Sequence, residues 1–160
     1  MKSDALRKMV RGAAVAAAYA ILTVIWPFSI GPLQCRVSEA LCVLPFLFSE
    51  AVPGLFIGCL LGNLIEGAVP LDIVFGSLAT LLAAFVTYYM GKKKWPPFLA
   101  PLPAVLFNAA VIGLLLSTAY EYGLSFPVAA LQVGGGEAIS CYVLGLPLLY
   151  ALNKRRDTIK

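Results

Sequence analysis

The side chains of this chain that can do chemistry are a few carboxylates, amides and one arginine set within long apolar stretches. Glu137 directly follows Gly134, Gly135 and Gly136 inside an otherwise apolar segment. Glycines there weaken a helix and let a ligand or another backbone approach closely. An ionisable side chain inside a membrane is costly and is a functional candidate by default. We therefore expect Glu137 to contact a ligand.

Other polar side chains occupy similar settings: Gln34, Arg36, Glu39, Asn63, Asp72 and Asn108. Carboxylates accept hydrogen bonds, a guanidinium donates them and amides do both, so the set is suited to binding a small polar molecule. Simpler interpretations stay open. Arg36 and Glu39 are three residues apart and would pair on one helical face. Glu66 and Asp72 flank a short loop and would be solvated charges there.

Catalysis is not indicated by the motifs. The chain has no histidine, and neither HExxH nor GxSxG occurs in it. Its cysteines are Cys35, Cys42, Cys59 and Cys141, which lie in or beside apolar segments without a CxxC spacing. They are typical of small buried residues rather than metal ligands or a disulfide framework. We expect neither an enzyme nor a bound metal or cofactor.

The surrounding segments predict a membrane protein. Hydrophobic residues make up 61% of the chain and charged residues 12%. Eleven of the twelve basic residues form three clusters, at residues 2–11, 92–94 and 154–160, and Arg36 stands apart. Basic loops stay on the cytoplasmic side, so each pair of clusters is separated by an even number of crossings. Topology thus accounts for the net charge of +4, and no nucleic-acid partner is inferred.

The apolar segments give the number of crossings. Clear helices are predicted from about Gly12 to Trp26 or Phe28, Leu71 to Met90, Pro97 to Ser117 and Pro127 to Leu152. The region Cys35–Glu66 is too long for one helix, and we expect two short helices meeting near Ser49–Glu50. A hairpin dipping in from outside would give the same parity. We predict an all-α integral membrane protein, a six-transmembrane-helix bundle in one domain of residues 1–160, with both termini cytoplasmic.

This orientation places the polar candidates at or outside the midplane of the membrane, in the outer half.

Small residues form two further patterns. Gly54, Gly58 and Gly62 recur every four residues, which favours close helix packing within the bundle. An alanine stripe in the first helix has the same spacing and begins beside the basic N-terminus, where a second membrane subunit would find it: Ala13, Ala16, Ala17 and Ala20.

Several segments together resemble the QueT family. They are Gly31-Pro-Leu-Gln-Cys-Arg-Val-Ser-Glu-Ala-Leu, Pro53-Gly-Leu-Phe-Ile-Gly-Cys and Asp72-Ile-Val-Phe-Gly-Ser-Leu-Ala-Thr, with Asn108 and the Gly136-Glu137 pair. The resemblance runs from about Arg11 to Tyr150. Members of this family are substrate-binding subunits (S components) of energy-coupling-factor (ECF) importers for queuosine precursors.

The resemblance implies that the protein resides in the bacterial cytoplasmic membrane and works with partner subunits. The ligand would be a 7-deazaguanine (preQ1, preQ0 or queuine) bound in the outer half. The chain would dock through its alanine stripe on a transmembrane coupling subunit that carries two ATPase subunits. This chain has no ATP-binding GxxxxGK[ST] motif of its own.

Roles for the candidates follow from the ligand's chemistry. A carboxylate accepts from two adjacent N–H donors of the base at once, and we assign this role first to Glu137 and second to Glu39. The amides of Gln34, Asn63 and Asn108 and the guanidinium of Arg36 would form hydrogen bonds with the other polar atoms of the base. Asp72 or Glu66 would bind the ammonium group of preQ1. Stacking candidates are Trp26, Phe28 and Tyr142. Alternatives are an S component for another vitamin or nucleobase, a stand-alone secondary transporter and a purely structural partner.

Overall fold

The computed structural model describes residues 2–25, 35–119 and 123–155, and within them the chain forms six helices and no strand. The helices are α1 (Lys2–Ile25), α2 (Val37–Phe46), α3 (Ala51–Glu66), α4 (Asp72–Lys92), α5 (Leu102–Thr118) and α6 (Phe126–Lys154). A short 3₁₀ turn, Pro97–Leu99, precedes α5. The prediction of an all-helical chain with these segments is confirmed.

Among the described residues, four regions are long and apolar enough to cross a membrane: Asp4–Ile25, Asp72–Lys92, Pro97–Thr118 and Phe126–Lys154. The chain is therefore a multi-pass membrane protein. The two remaining helices meet at the predicted break and are short, with 10 residues in α2 and 16 in α3. At roughly 2.0 Å per residue for a 3₁₀ helix and 1.5 Å for an α-helix, each is shorter than the hydrocarbon core of about 30 Å. Six complete crossings and two cytoplasmic termini stay a prediction.

The helix α2 lies at the centre of the bundle. It contacts α1, α3, α4 and α6, and most of its residues are buried. Its geometry is 3₁₀ over ten residues, and Pro45 lies within it. Runs longer than three or four residues are uncommon for 3₁₀ helices, and apolar periodicity does not distinguish them from α-helices. The 3₁₀ form of α2 was consequently not predicted.

Glycines hold α3 close against α1, as the four-residue spacing indicates. A Cβ atom on Gly54 would lie 2.7 Å from the carbonyl oxygen of Gly12, and one on Gly58 would lie 2.7 Å from that of Ala16. At Gly62 the corresponding contact is Thr23 Cβ at 3.0 Å. Such distances leave no room for side chains, so the two backbones pack directly on each other. The predicted packing role of this stripe is confirmed.

Two helices contain π-helical segments, which the apolar pattern did not reveal. One is Asp72–Gly76 at the start of α4, and the other is Ile139–Gly145 in the middle of α6. Single π turns inside α-helices are rare and occur often at functional sites. Asp72 is the first residue of one π-helical segment, and the other begins two residues after Glu137.

Candidate functional site

The central helix α2 supplies the first carboxylate of a buried polar cluster. Glu39 is 3% exposed, and its Oε1 accepts a hydrogen bond from the hydroxyl of Tyr19 on α1, a side chain that is fully buried. A buried carboxylate requires such donors, because its transfer from water is otherwise strongly unfavourable. Tyr19 therefore joins α1 to the centre of the bundle.

Arg36 precedes α2 and connects it to α3. Its Nη1 donates to Oδ1 of Asn63 at 3.0 Å, and the Asn63 amide is 1% exposed. Nδ2 of Asn63 in turn lies 3.5 Å from Sγ of Cys59, one helical turn earlier. The amide is thus held in one orientation between α2 and the body of α3.

The second carboxylate comes from α6. Glu137 is 3% exposed, and its Oε1 accepts a hydrogen bond of 2.8 Å from Nδ2 of Asn108 on α5. Asn108 is itself buried. Gly134, one turn before Glu137, allows the close approach of α5, since a Cβ there would lie 3.2 Å from Cβ of Ala109. One of the three glycines thus has the packing role that the sequence suggested.

Cys141 links the two carboxylate residues. Its Sγ lies 3.4 Å from the backbone oxygen of Glu39 and 3.6 Å from Oε1 of Glu137. It also lies 3.2 Å from Sγ of Cys42, and all four cysteines are free thiols. Cys42, Cys59 and Cys141 are buried, as predicted. The cluster therefore reaches from α1 to α6 through the polar side chains of five helices.

Two oxygens of α2 are buried without a hydrogen-bond partner among the described residues: Oε2 of Glu39 and Oγ of Ser38. Oε1 of Gln132, on α6, is another such atom. Leaving such an atom unsatisfied costs about 1–3 kcal/mol, and more when it is charged. A bound polar molecule that donates hydrogen bonds would remove this cost. Glu39 is the strongest case, because its other oxygen is already held by Tyr19.

The structure brings together five of the predicted binding residues: Arg36, Glu39, Asn63, Asn108 and Glu137. Asp72 is half-buried at the start of α4, and Glu66 is half-buried at the end of α3, across a short loop in which Gly67 is left-handed with a φ of 71°. Gln34, Trp26 and Phe28 lie outside the described residues. Tyr142 is half-buried in the π-helical segment of α6.

Sequence reasoning missed Tyr19, which completes the cluster. The signal was available, because Tyr19 is an isolated hydroxyl-bearing aromatic in the middle of an alanine-rich helix rather than at a membrane boundary. Ser140 was also missed, and its Oγ lies 3.5 Å from Sγ of Cys35. Within the described residues no group of three or more potential ligands is placed to hold a metal ion.

A separate apolar groove lies between α1 and α3, and Glu50, directly before α3, is one of its lining residues. Its volume is about 590 Å³, and its lining includes Lys8, Gly12, Ala13 and Ala17. Arg11 forms an ion pair of 3.5 Å with Glu50 at the adjacent turn. The groove is the one described surface where the predicted alanine stripe lies open.

The residues of the alanine stripe differ in their exposure. Ala13 and Ala17 are exposed, whereas Ala16 and Ala20 are only 7% and 8% exposed. The reason is helical geometry. Residues three or four apart share a face, and the face of Ala16 and Ala20 also carries Tyr19 and Thr23 toward α3. Ala16 and Ala20 therefore also pack within the chain, although Ala16 still lines the groove together with Ala13 and Ala17. Docking through the alanine stripe stays a prediction.

A family model described as QueT transporter matches residues 9–154, nearly the whole chain. No curated protein and no solved structure matches it significantly. The matched region includes all of the polar cluster and the three alanines that line the groove, Ala13, Ala16 and Ala17. The chain belongs to the QueT transporter family.

Proposed function

We propose that this member of the QueT transporter family is the substrate-binding S component of an ECF-type importer, and that it captures a queuosine precursor (preQ1, preQ0 or queuine) for ATP-driven uptake. In this proposal residues 1–160 form one transmembrane domain of the bacterial cytoplasmic membrane, with both termini inside. Hydrolysis of ATP belongs to two partner ATPase subunits, and a transmembrane coupling subunit connects them to this chain.

The observation that carries the proposal is the buried polar cluster, with the unsatisfied Oε2 of Glu39 as its centre. The ring of a 7-deazaguanine presents adjacent N–H donors and one carbonyl acceptor. A carboxylate accepts charge-assisted hydrogen bonds from such donors, and these are roughly twice as strong as neutral ones. Glu39 and Glu137 offer the acceptors, and Arg36 with Asn63 offers donors for the carbonyl.

Charge supports the same ligand class. The cluster contains two carboxyl groups, on Glu39 and Glu137, and one guanidinium, on Arg36. Buried charges are unfavourable unless they are paired. A ligand that is rich in N–H donors, or carries an ammonium as preQ1 does, would compensate the second carboxylate. A site of this kind rejects analogues that lack the matching donors far better than it rejects size variants.

Calorimetric titration of the purified chain, without partner subunits, tests the proposal. We expect preQ1, preQ0 or queuine to bind in preference to guanine. Replacement of Glu137 by Gln should weaken binding by about 1.5–3 kcal/mol, roughly 10- to 150-fold, the contribution of a hydrogen bond to a charged group. The matched control is Glu50→Gln, which removes a carboxylate at the turn between α2 and α3 and should leave affinity unchanged.

Three outcomes would contradict the proposal. Wild-type affinity in Glu137→Gln would remove this residue from the site. Absence of binding by folded protein would point to an S component for another vitamin or nucleobase. Uptake into liposomes by the chain alone, without ATPase subunits, would indicate a secondary transporter.

A further inference from the structure

A second apolar groove lies where the end of α4 meets the start of α5, away from the polar cluster. Its volume is about 190 Å³. Every residue that lines it is apolar, among them Val86, Met90, Trp95, Leu99, Leu102 and Leu106. Leu106 is 58% exposed and Trp95 is 49% exposed, so the groove opens outward from the bundle. Because α4 and α5 are both of membrane-spanning length, the surroundings of this groove are acyl chains.

A tight turn closes the groove at the end of α4. The N–H of Trp95 donates to the oxygen of Met90 at 3.0 Å, and Lys94 adopts a φ of 57°. These are the features of a helix C-terminal cap in which the left-handed position is usually glycine. A lysine there is conformationally unfavourable. The turn nevertheless keeps Trp95 close to Met90, and both residues line the groove. The three lysines directly precede Trp95 in the chain, so the rim of the groove at this turn is the backbone that carries them.

The rim carries concentrated positive charge. Lys92, Lys93 and Lys94 are all exposed. None of them forms an ion pair with a carboxylate in the described part of the chain. The sequence contains no Asp or Glu between Asp72 and Glu121. This stretch of the sequence thus supplies no carboxylate of its own to neutralise the three lysines, and an anion outside the chain would do so.

Helical geometry distinguishes the lysines. Val86 and Met90 share one face of α4, because residues three or four apart are neighbours, and Lys93, the C-cap residue directly after the helix, comes three residues after Met90. Nζ of Lys93 lies 5.5 Å from the centre of the Tyr89 ring, on the same side. Nζ of Lys92 instead lies 5.9 Å from the centre of the Tyr88 ring, and Tyr88 packs against the α1–α3 core. Lys93 thus follows the side of α4 that carries the groove residues Val86 and Met90, whereas Lys92 lies on the side of Tyr88, which does not line the groove.

We propose that this groove is a binding site for an anionic phospholipid, whose acyl chain occupies the groove and whose phosphate contacts Lys93 and Lys94. Charge complementarity with an apolar slot at a membrane boundary is the requirement for such a ligand. Trp95 lies at the level where amphipathic rings prefer to be, between headgroups and hydrocarbon. The bound lipid would anchor the linker between α4 and α5. The proposal is independent of the transported substrate.

Fluorescence quenching of Trp95 tests the site directly. The chain has two tryptophans, so all variants carry Trp26→Phe and Trp95 is the sole emitter. The protein is reconstituted in phosphatidylcholine vesicles that contain a minor fraction of either brominated phosphatidylglycerol or brominated phosphatidylcholine. We expect the anionic lipid to quench Trp95 more strongly. Lys93→Gln should lower the preference for it about fivefold, the effect expected of one lysine near an anionic lipid.

Lys92→Gln is the matched control, because it removes the same charge from the adjacent position. The site predicts that this variant keeps the preference. Equal losses in Lys92→Gln and Lys93→Gln would overturn the proposal, since they would indicate diffuse surface charge. Equal quenching by the two lipids in the parent protein would also overturn it. An excess of soluble glycerol phosphate, which has no acyl chain, should not abolish the preference for the anionic lipid. If it did, the phosphate alone would account for binding and the groove would have no part in it.

Discussion

Tyr19 is the residue through which the first helix reaches the candidate site. Its ring is fully buried in the α1–α3 core, and its hydroxyl donates to Glu39. The other oxygen of Glu39 has no partner in the described part of the chain and is the acceptor that a ligand would use. Tyr19 thus orients the carboxylate of Glu39, and the orientation decides where the unsatisfied oxygen lies.

The phenolic hydroxyl is expected to contribute to ligand binding through Glu39. Tyr19→Phe should weaken binding of the best 7-deazaguanine by about 1–3 kcal/mol, because the carboxylate loses the donor that fixes it. A double-mutant cycle with Glu39→Gln measures the coupling, which we expect to lie in the range of about 0.5–3 kcal/mol found for residues in contact. Calorimetric titration of the four proteins provides the numbers.

Tyr88→Phe is the control for this cycle. It removes a hydroxyl from a ring that packs on the same α1–α3 core, and in the described structure this ring forms no hydrogen bond with Glu39. Its binding constant should equal that of the parent protein. Strictly additive effects of Tyr19→Phe and Glu39→Gln would show that the two side chains act independently, against the proposed positioning role.

At the scale of the elements, the contact between α1 and α3 depends on glycines. The largest helix–helix interface of the described chain is this one, and it is built on backbone contact at Gly54, Gly58 and Gly62. In lipid, helix association draws on close packing rather than on a hydrophobic driving force. The same interface holds Tyr19 in place and forms the floor of the 590 Å³ groove.

Gly58→Ala should therefore destabilise the protein. The added Cβ would meet the oxygen of Ala16 at 2.7 Å and Cβ of Tyr19 at 2.8 Å, neither of which is a flexible side-chain end. Overpacking of this kind costs about 1–3 kcal/mol. We expect a lower thermal unfolding temperature in detergent and weaker ligand binding, since Tyr19 must shift.

Gly135→Ala is the matched control, because it makes the same substitution in α6 where nothing lies within 4 Å of the new Cβ. Helix propensity favours alanine over glycine by about 1 kcal/mol, so this variant should be as stable as the parent protein or more stable. Equal unfolding temperatures for the Gly58 and Gly135 variants would contradict the account of the α1–α3 contact.

At the scale of the whole molecule, the polar cluster and the groove lie at different places on the same pair of helices. Tyr19 and Asn63 belong to the cluster, whereas Ala13 and Ala17 line the groove nearer the basic N-terminus. In the proposed role as an S component, capture of the ligand and docking on a coupling subunit are separate tasks. We therefore expect substitutions in the groove to affect transport and not binding.

Ala17→Trp should abolish uptake by the assembled importer while calorimetric affinity for the ligand stays unchanged. The bulky ring would fill the groove and exclude a helix of the partner. Val143→Trp is the control, because Val143 is 62% exposed on α6 and lies outside the groove lining. Loss of both uptake and binding in Ala17→Trp would instead assign this position to folding.

Several features of the candidate site followed from residue types and spacing alone. Arg36, Glu39, Asn63, Asn108 and Glu137 were predicted as binding residues because polar side chains are rare and unfavourable in apolar segments. The structure brings all five together. The structure added Tyr19 and Cys141 to the site. A tyrosine or a cysteine is equally at home in a hydrophobic core, at a membrane boundary or in a binding site, so the role of each depends on its neighbours.

The helical class, the four long membrane segments and the break near Glu50 were predictable from the residues alone, because apolar run length and prolines are local properties. Tertiary structure alone decided that α2 is a 3₁₀ helix, that α4 and α6 contain π-helical segments, and that Ala16 and Ala20 are buried while Ala13 and Ala17 are exposed. These outcomes depend on which helix packs against which face. In a chain that is apolar on nearly every face, periodicity carries no information about that choice.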